Sequence, residues 1–300
     1  MTSQVPAYGG YDQAEMLHIL RQACATAGLD STGAQLLRGH TNAVVRLATS
    51  PVVVKIARRG SHPSDVERTV RFVRWLMEQN FPTAPLHPVE QPVLVGQHAV
   101  TFWTYLPQPS HPVAAQQLAK PLYALHSLPT PPVALPSLDP VGAIRSSLTK
   151  ITDLPGPATR FLSQRLDRLV GQLAEVRFPS PETVVQGDPQ HRNALHDGHD
   201  AVLCDWDTVA LGHREWDLVT IEIHCRRFGY SAAHYRAFAE TYGYDITRWA
   251  GYPVLRDLRE LRMITTNARK IRYAPDSRVE VERRIDGLQC EDTQLCWHIL

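Results

Sequence analysis

Three hundred residues allow one large domain or two of medium size, each burying its own core. Lysine and arginine together number 31 against 30 acidic residues, so no sustained positive field is available to hold a nucleic-acid backbone or an anionic membrane surface. No apolar run approaches the roughly 20 residues that span a bilayer, and residues 1–17 lack a basic stretch followed by an apolar one. A soluble, unprocessed, cytoplasmic protein is expected, without nucleic-acid or membrane partners, as a monomer or homodimer.

In chain order, residues 12 to 28 carry apolar positions at helical spacing and end at a glycine, which predicts a first helix. LLRGHTNAVVRLA and VVVKIA, separated by Thr49, Ser50 and Pro51, are β-rich and predict an antiparallel hairpin, with Lys55 inside its second strand. An amphipathic helix is predicted over about 65–79 from Val66, Val70, Val73 and Met77 on one face. VLVG and AVTFWTYL make a second hairpin, left through the proline-containing stretch that follows Leu106. Helical patterns dominate beyond it, at 114–126, 158–174, 218–227, 232–242 and 255–271. One strong β signal interrupts them, VVQGDPQHRNALHDGHDAVLCDWD at 184–207, with an Asp-Gly turn between two short apolar strands.

That hairpin carries the chemistry. If its turn is centred on Gly198 and His199, antiparallel partners sum to about 397, which sets Asn193 opposite Cys204 and next to Asp205. Asp188 lies on the loop that enters it. Two oxygen ligands beside a further carboxylate suit a hard cation such as Mg²⁺, which keeps few protein ligands and shares its other positions with water and phosphate. The His196-Asp197-Gly198-His199-Asp200 cluster is explained by a hairpin tip better than by zinc, because no further ligand pair is evident. The cysteines at 24, 204, 225, 290 and 296 include no C-x-x-C spacing and are expected to be reduced packing residues.

The spacing resembles the protein-kinase arrangement, in which one loop supplies an Asp and an Asn and a short hairpin leads to a metal-binding Asp. Over nearly its full length the chain resembles the aminoglycoside phosphotransferase-like family of small-molecule kinases. The loop Gln186-Gly187-Asp188 with Asn193 matches that family's H-G-D-x-x-x-x-N, and Asp205-Trp206-Asp207 matches its D-W-D or D-W-E. The resemblance implies an α+β, protein-kinase-like two-lobed fold: a β-rich nucleotide-binding lobe over 1–104, a hinge at 105–110, and a mainly helical lobe over 111–300 holding the catalytic loop and acceptor site. It implies transfer of the γ-phosphoryl group of ATP (or GTP), with Mg²⁺, to a hydroxyl of an antibiotic, amino alcohol or sugar, the nucleotide lying between the lobes.

By the same resemblance Asp188 receives the acceptor's proton, Asn193 and Asp205 hold the metal, and Lys55 contacts the α- and β-phosphates. Gly39, Thr41 and Asn42 are expected to cover the phosphates, and Trp103, Thr104, Tyr105 and Leu106 to offer backbone to the base. Two departures stand out. Gln186 replaces the usual histidine, and Thr69 stands where the helix glutamate partner of Lys55 is expected, leaving Glu67 as the nearest substitute. Asp207 is expected to anchor the loop or hold a second metal, and Asp217 to cap a helix or brace the loop. Two further functions remain open, a non-catalytic nucleotide-binding module and a metal-dependent phosphoester hydrolase using Asp188, Asp205 and Asp207 directly.

Overall fold

The computed structural model describes residues 12–39, 42–198 and 200–300. In chain order these residues form α1 (Gln13–Thr26), β1 (Gln35–Arg38), β2 (Ala43–Arg46), β3 (Val52–Ile56), α2 (Pro63–Glu78), β4 (Val93–Val95) and β5 (His98–Thr104). There follow α3 (Ala115–His126), α4 (Pro140–Leu148), α5 (Gly156–Ala174), β6 (Glu182–Val185), β7 (Ala194–Asp197), β8 (Asp200–Leu203) and β9 (Ala210–His213). The chain ends in α6 (Glu215–Arg227), α7 (Ala232–Tyr242), α8 (Tyr252–Ala268) and α9 (Arg278–Gln289). No helix of the described residues is long and apolar enough to cross a membrane.

The chain divides into two compact units that do not follow one another in sequence. The first comprises the described residues up to Val113 together with those of 129–135 and 192–209. Its centre is a five-stranded antiparallel sheet in the order β1-β2-β3-β5-β4. Alternation along β3 sends Val52, Val54 and Ile56 into the core, where they meet Ile19, Leu20 and Ala23 of α1 and Val100 and Phe102 of β5. Lys55, on the alternate face of β3, is thereby turned away from that core. The hairpin of β7 and β8, expected in the helical lobe, clusters instead with this first unit. Backbone contact explains the grouping, since Ala84 N donates to Leu203 O at 2.9 Å and Leu203 N to Pro82 O at 3.0 Å. Trp206, fully buried, packs edge-on against Phe72 and Phe81, and its Nε1 donates to Thr83 Oγ1 at 2.9 Å.

The second unit comprises 114–128, 136–191 and the chain from Ala210 onward. It is mainly helical, with β6 and β9 paired antiparallel. Helix α6 is buried along most of its length, including Trp216, Asp217, Glu222 and Arg227, and so shows no amphipathic stripe. Its charges are answered by neighbours: Glu260 of α8 takes Arg227 Nη2 and Arg226 Nη2, each at 2.8 Å.

Candidate active site

In the first unit, Lys55 is the centre of a three-residue ion cluster. Its Nζ stands 2.7 Å from Asp205 Oδ1 and 2.8 Å from Asp207 Oδ1. Burial acts to lower the Lys55 ammonium, but Asp205 and Asp207 more than offset it and raise it above the ordinary lysine value. Conversely, burial acts to raise the Asp207 carboxyl, and Lys55 holds it below the carboxylate range. Two carboxylates against one ammonium leave the cluster with a formal charge of minus one. Both aspartates keep partly exposed side chains, at 38% and 46%, while that of Lys55 is 15% exposed.

The backbone sets this up. Strands β7 and β8 pair Ala194 with Leu203 and Asp197 with Asp200, a constant sum that continues to Asn193 and Cys204, where Cys204 N donates to Asn193 O at 2.9 Å. Asp205 then leaves the strand in the left-handed region, at φ 58° and ψ 66°. Aspartate tolerates that region better than most residues, and the turn carries its carboxylate to Lys55. Asn193 is buried beside it, its backbone tied to the strand that ends at Asp205. Cys204, the residue between, has its thiol pushed up to about 12 by burial and by Asp205, so it supplies no thiolate here.

Asp207 has a second task. Its Oδ2 accepts from Asn42 Nδ2 at 2.9 Å, and Asn42 Oδ1 accepts from Arg58 N at 3.0 Å. The Asn42 side chain therefore ties β2 to the segments after β3 and β8, whatever its backbone does for a ligand. Gly39 follows β1 and is half-buried, and Thr41 lies outside the described residues. Glu67 is exposed on α2, while the Lys55 ammonium is taken by the two aspartates.

At the end of β5, Trp103 pairs with Val53 and donates its Nε1 to Thr101 Oγ1 at 2.9 Å. Thr104 N donates to Pro85 O at 2.9 Å and Tyr105 N to Pro51 O at 2.8 Å. The Leu106 carbonyl accepts from Gln108 Nε2 at 3.0 Å, and Arg46 lies over the Tyr105 ring, 4.1 Å from its centroid. Two backbone donors of the 103–106 segment are thus committed within the unit itself.

Asp188 belongs to the second unit, and its loop is held by buried polar groups. Asp217, fully buried, accepts from Gln186 N at 2.7 Å, Gly187 N at 2.9 Å and His126 Nε2 at 3.1 Å. It braces the loop. His126 Nδ1 meets Tyr242 Oη at 2.8 Å, and Trp216 Nε1 donates to Gly187 O at 3.0 Å. Gln186 Oε1 accepts from Asp188 N at 2.7 Å, so glutamine supports the loop in the place of histidine. Gly187, at φ 83°, makes the left-handed turn that brings Asp188 out of β6.

The Asp188 carboxylate is engaged on both oxygens. Gln190 Nε2 donates to Oδ2 at 2.9 Å, and Arg259 Nη2 forms an ion pair with Oδ1. Burial acts to raise its pKa, but the charge of Arg259 wins and holds it below the carboxylate range. His224 nearby is pushed down to about 3 by burial and is neutral. Sequence reasoning missed Arg259, which lies 71 positions from Asp188. Nor did it show that the His126 ring joins Asp217 to Tyr242. No local signal marks either, because both depend on which helices meet in the helical unit.

In the second unit the Asp188 carboxylate is ionised and held by Arg259 and Gln190; in the first, the Lys55 cluster joins an ammonium to hard oxygen donors, a set whose chemistry suits phosphate and a divalent cation. Among the described residues no three His, Cys, Asp or Glu side chains gather into a metal cage. Asn193 and Asp205 fit a cation that arrives with phosphate oxygens better than one resident in the protein.

The model of the phosphotransferase enzyme family, APH, matches residues 32–258. None of the curated proteins matches the chain. Amicoumacin kinase hAmiN, solved with AMP-PNP, Ca²⁺ and Ami, superposes with a TM-score of 0.71 at 14% identity, covering 96% of each chain. Choline kinase LicA from Streptococcus pneumoniae gives 0.67 at 13% identity over 91% of this chain and 99% of its own. The AMP-bound spectinomycin phosphotransferase APH(9)-Ia gives 0.64 at 16% identity over 92% and 94%. At these identities the likeness is one of fold, the protein-kinase-like fold of aminoglycoside phosphotransferases and choline kinases.

Proposed function

The chain belongs to the phosphotransferase enzyme family, and from that premise we propose that it transfers the γ-phosphoryl group of ATP (or GTP) to a hydroxyl of a small molecule. Family membership supports a kinase-type enzyme acting on a small molecule. The finer reading rests on the Lys55 ammonium at 2.7 Å from Asp205, a pair that joins a phosphate-binding cation to a metal-binding carboxylate. Neighbours in fold include kinases of amicoumacin, choline and spectinomycin, which agrees with a small hydroxylated acceptor.

In this reading Lys55 contacts the α- and β-phosphates, drawn from its two aspartates by the stronger phosphate charge. Asn193 and Asp205 hold Mg²⁺, which when bound neutralises charge on the phosphates. Asp207 keeps Asn42 in place. Asp188 orients the acceptor hydroxyl and takes its proton as the new oxygen–phosphorus bond forms and the bond from the γ-phosphorus to the nucleoside diphosphate oxygen breaks. Its low pKa makes it a weak base but leaves it ionised at neutral pH. Alignment is therefore the larger part of its work, with the proton leaving late.

The test is nucleotide consumption by the purified protein with and without pooled hydroxylated acceptors. A kinase consumes nucleotide when acceptor is added. A binding module shifts its melting temperature with MgATP but does not turn it over, and a phosphoester hydrolase acts without nucleotide.

A further inference from the structure

Helix α8 presents Arg259 and Arg262 one turn apart, and both guanidinium groups lie over the ring of Trp216, at 5.3 and 5.4 Å from its centroid. Arg259 is 4% exposed and spends one nitrogen on Asp188. Its Nε, and Nη1 of Arg262, are buried with no hydrogen-bond partner among the described residues. Burial, reinforced by Arg259, pushes Arg262 down to about 10, the response of a cation crowded by another cation.

Arg259 and Arg269 act on Arg262 from the basic side, Asp188 and Asp139 from the acidic side. Asp139 is already the N-cap of α4, accepting from Gly142 N at 2.7 Å, and Asp188 is taken by Arg259 and Gln190. His224 contributes no charge, being neutral. Both aspartates that act on Arg262 are thus already engaged, and the buried donors Arg259 Nε and Arg262 Nη1 lack acceptors among the described residues. Such donors are completed by planar or tetrahedral oxyanions, which a guanidinium binds through paired hydrogen bonds. A polycation at this place would meet like charge.

Building on the phosphotransferase reading, we propose that the acceptor is a small hydroxy compound bearing a carboxylate or phosphate group, whose anionic oxygens are held by Arg259 and Arg262 beside Asp188. The acceptor anion takes the open donors Arg259 Nε and Arg262 Nη1, which leaves Arg259 Nη2 on Asp188 and sets the hydroxyl beside that carboxylate. Selection of the acceptor and its alignment on the aspartate are then one event.

Four three-carbon probes of different charge decide it: D-glycerate, glycerol 3-phosphate, glycerol and serinol. Each is titrated calorimetrically into protein saturated with Mg²⁺ and a non-hydrolysable ATP analogue. At least one of the two anions is expected to bind roughly tenfold tighter than glycerol, with serinol weakest, and the tighter anion identifies carboxylate or phosphate as the group recognised. Arg262→Met should abolish the preference and Arg262→Lys retain part of it, with affinity for the nucleotide analogue unchanged in both. Equal affinity across the probes, none binding at all, or a preference for serinol overturns the proposal on the wild-type protein alone, even if Arg262→Met fails to fold. So does loss of analogue binding in folded Arg262→Met, which would assign the arginines to the nucleotide. Failure of the wild type to bind the analogue at all sinks the phosphotransferase reading, and the proposal with it.

Discussion

Lys55 Nζ lies 2.7 Å from Asp205 Oδ1 across 150 residues of sequence. Two facts of backbone geometry make the pair, the alternation of β3 that turns Lys55 from the apolar core and the left-handed conformation that ends β8 at Asp205. A cation fixed beside a carboxylate is the arrangement that the proposed metal–nucleotide site requires.

Asp205→Asn removes the charge that a divalent cation needs while keeping the side chain's size. MgATP affinity, measured by calorimetry, should fall by roughly tenfold or more. The apo variant also loses one partner of Lys55, but Asp207 remains, so its melting temperature should change little. Unchanged MgATP affinity would count against Asp205 as a metal ligand.

Asp188→Asn should reduce acceptor phosphorylation by roughly two to four powers of ten, the usual contribution of a positioned general base, with little change in MgATP affinity. The lower end is expected, because Arg259 already holds the wild-type carboxyl at low basicity. Near-wild-type turnover in a folded variant would remove Asp188 from the reaction.

The pH dependence follows from the same depression. With a folded-state pKa below the unfolded value of about 3.9, Asp188 contributes stability that is complete above that value and lost as pH falls through the folded pKa. Activity should therefore show no acid limb from this residue between about pH 5 and 8. An acid limb near pH 6 that disappears in Asp188→Asn would show a different ionisation.

Glu260 answers two arginines in a buried part of the helical unit. Glu260→Gln removes the charge from between Arg226 and Arg227, and a loss of about 3–5 kcal/mol in unfolding free energy is expected from chemical denaturation. A change under about 1 kcal/mol would mean that solvent screens these charges as it does a surface pair.

The sequence carried the local part of this architecture well. The Asp-Gly signal and strand alternation set the register that puts Asn193 against Cys204, and VVVKIA marked the strand of Lys55. What it did not show depends on long-range packing. The β7–β8 hairpin joins the first unit because Leu203 and Trp206 reach residues 82–84. Asp217 is an expected brace of the Asp188 loop, but its link through His126 to Tyr242 joins residues with no common motif. Helix α9 hides in a charged stretch, VEVERRIDGLQ, although Val281, Ile285 and Leu288 are buried. Strand β9 is four residues long with a glycine inside, too short for a periodic signal.

The most direct test of the kinase reading follows a labelled γ-phosphate. Protein, Mg²⁺ and γ-labelled ATP are incubated with pooled hydroxylated small molecules, including hydroxy acids and amino alcohols, and the products are separated. Label should move into an organic phosphate ester, only when acceptor and Mg²⁺ are both present, and only slightly with Asp188→Asn. Label remaining in ATP that the protein demonstrably binds, or phosphoester cleavage without any nucleotide, would contradict it.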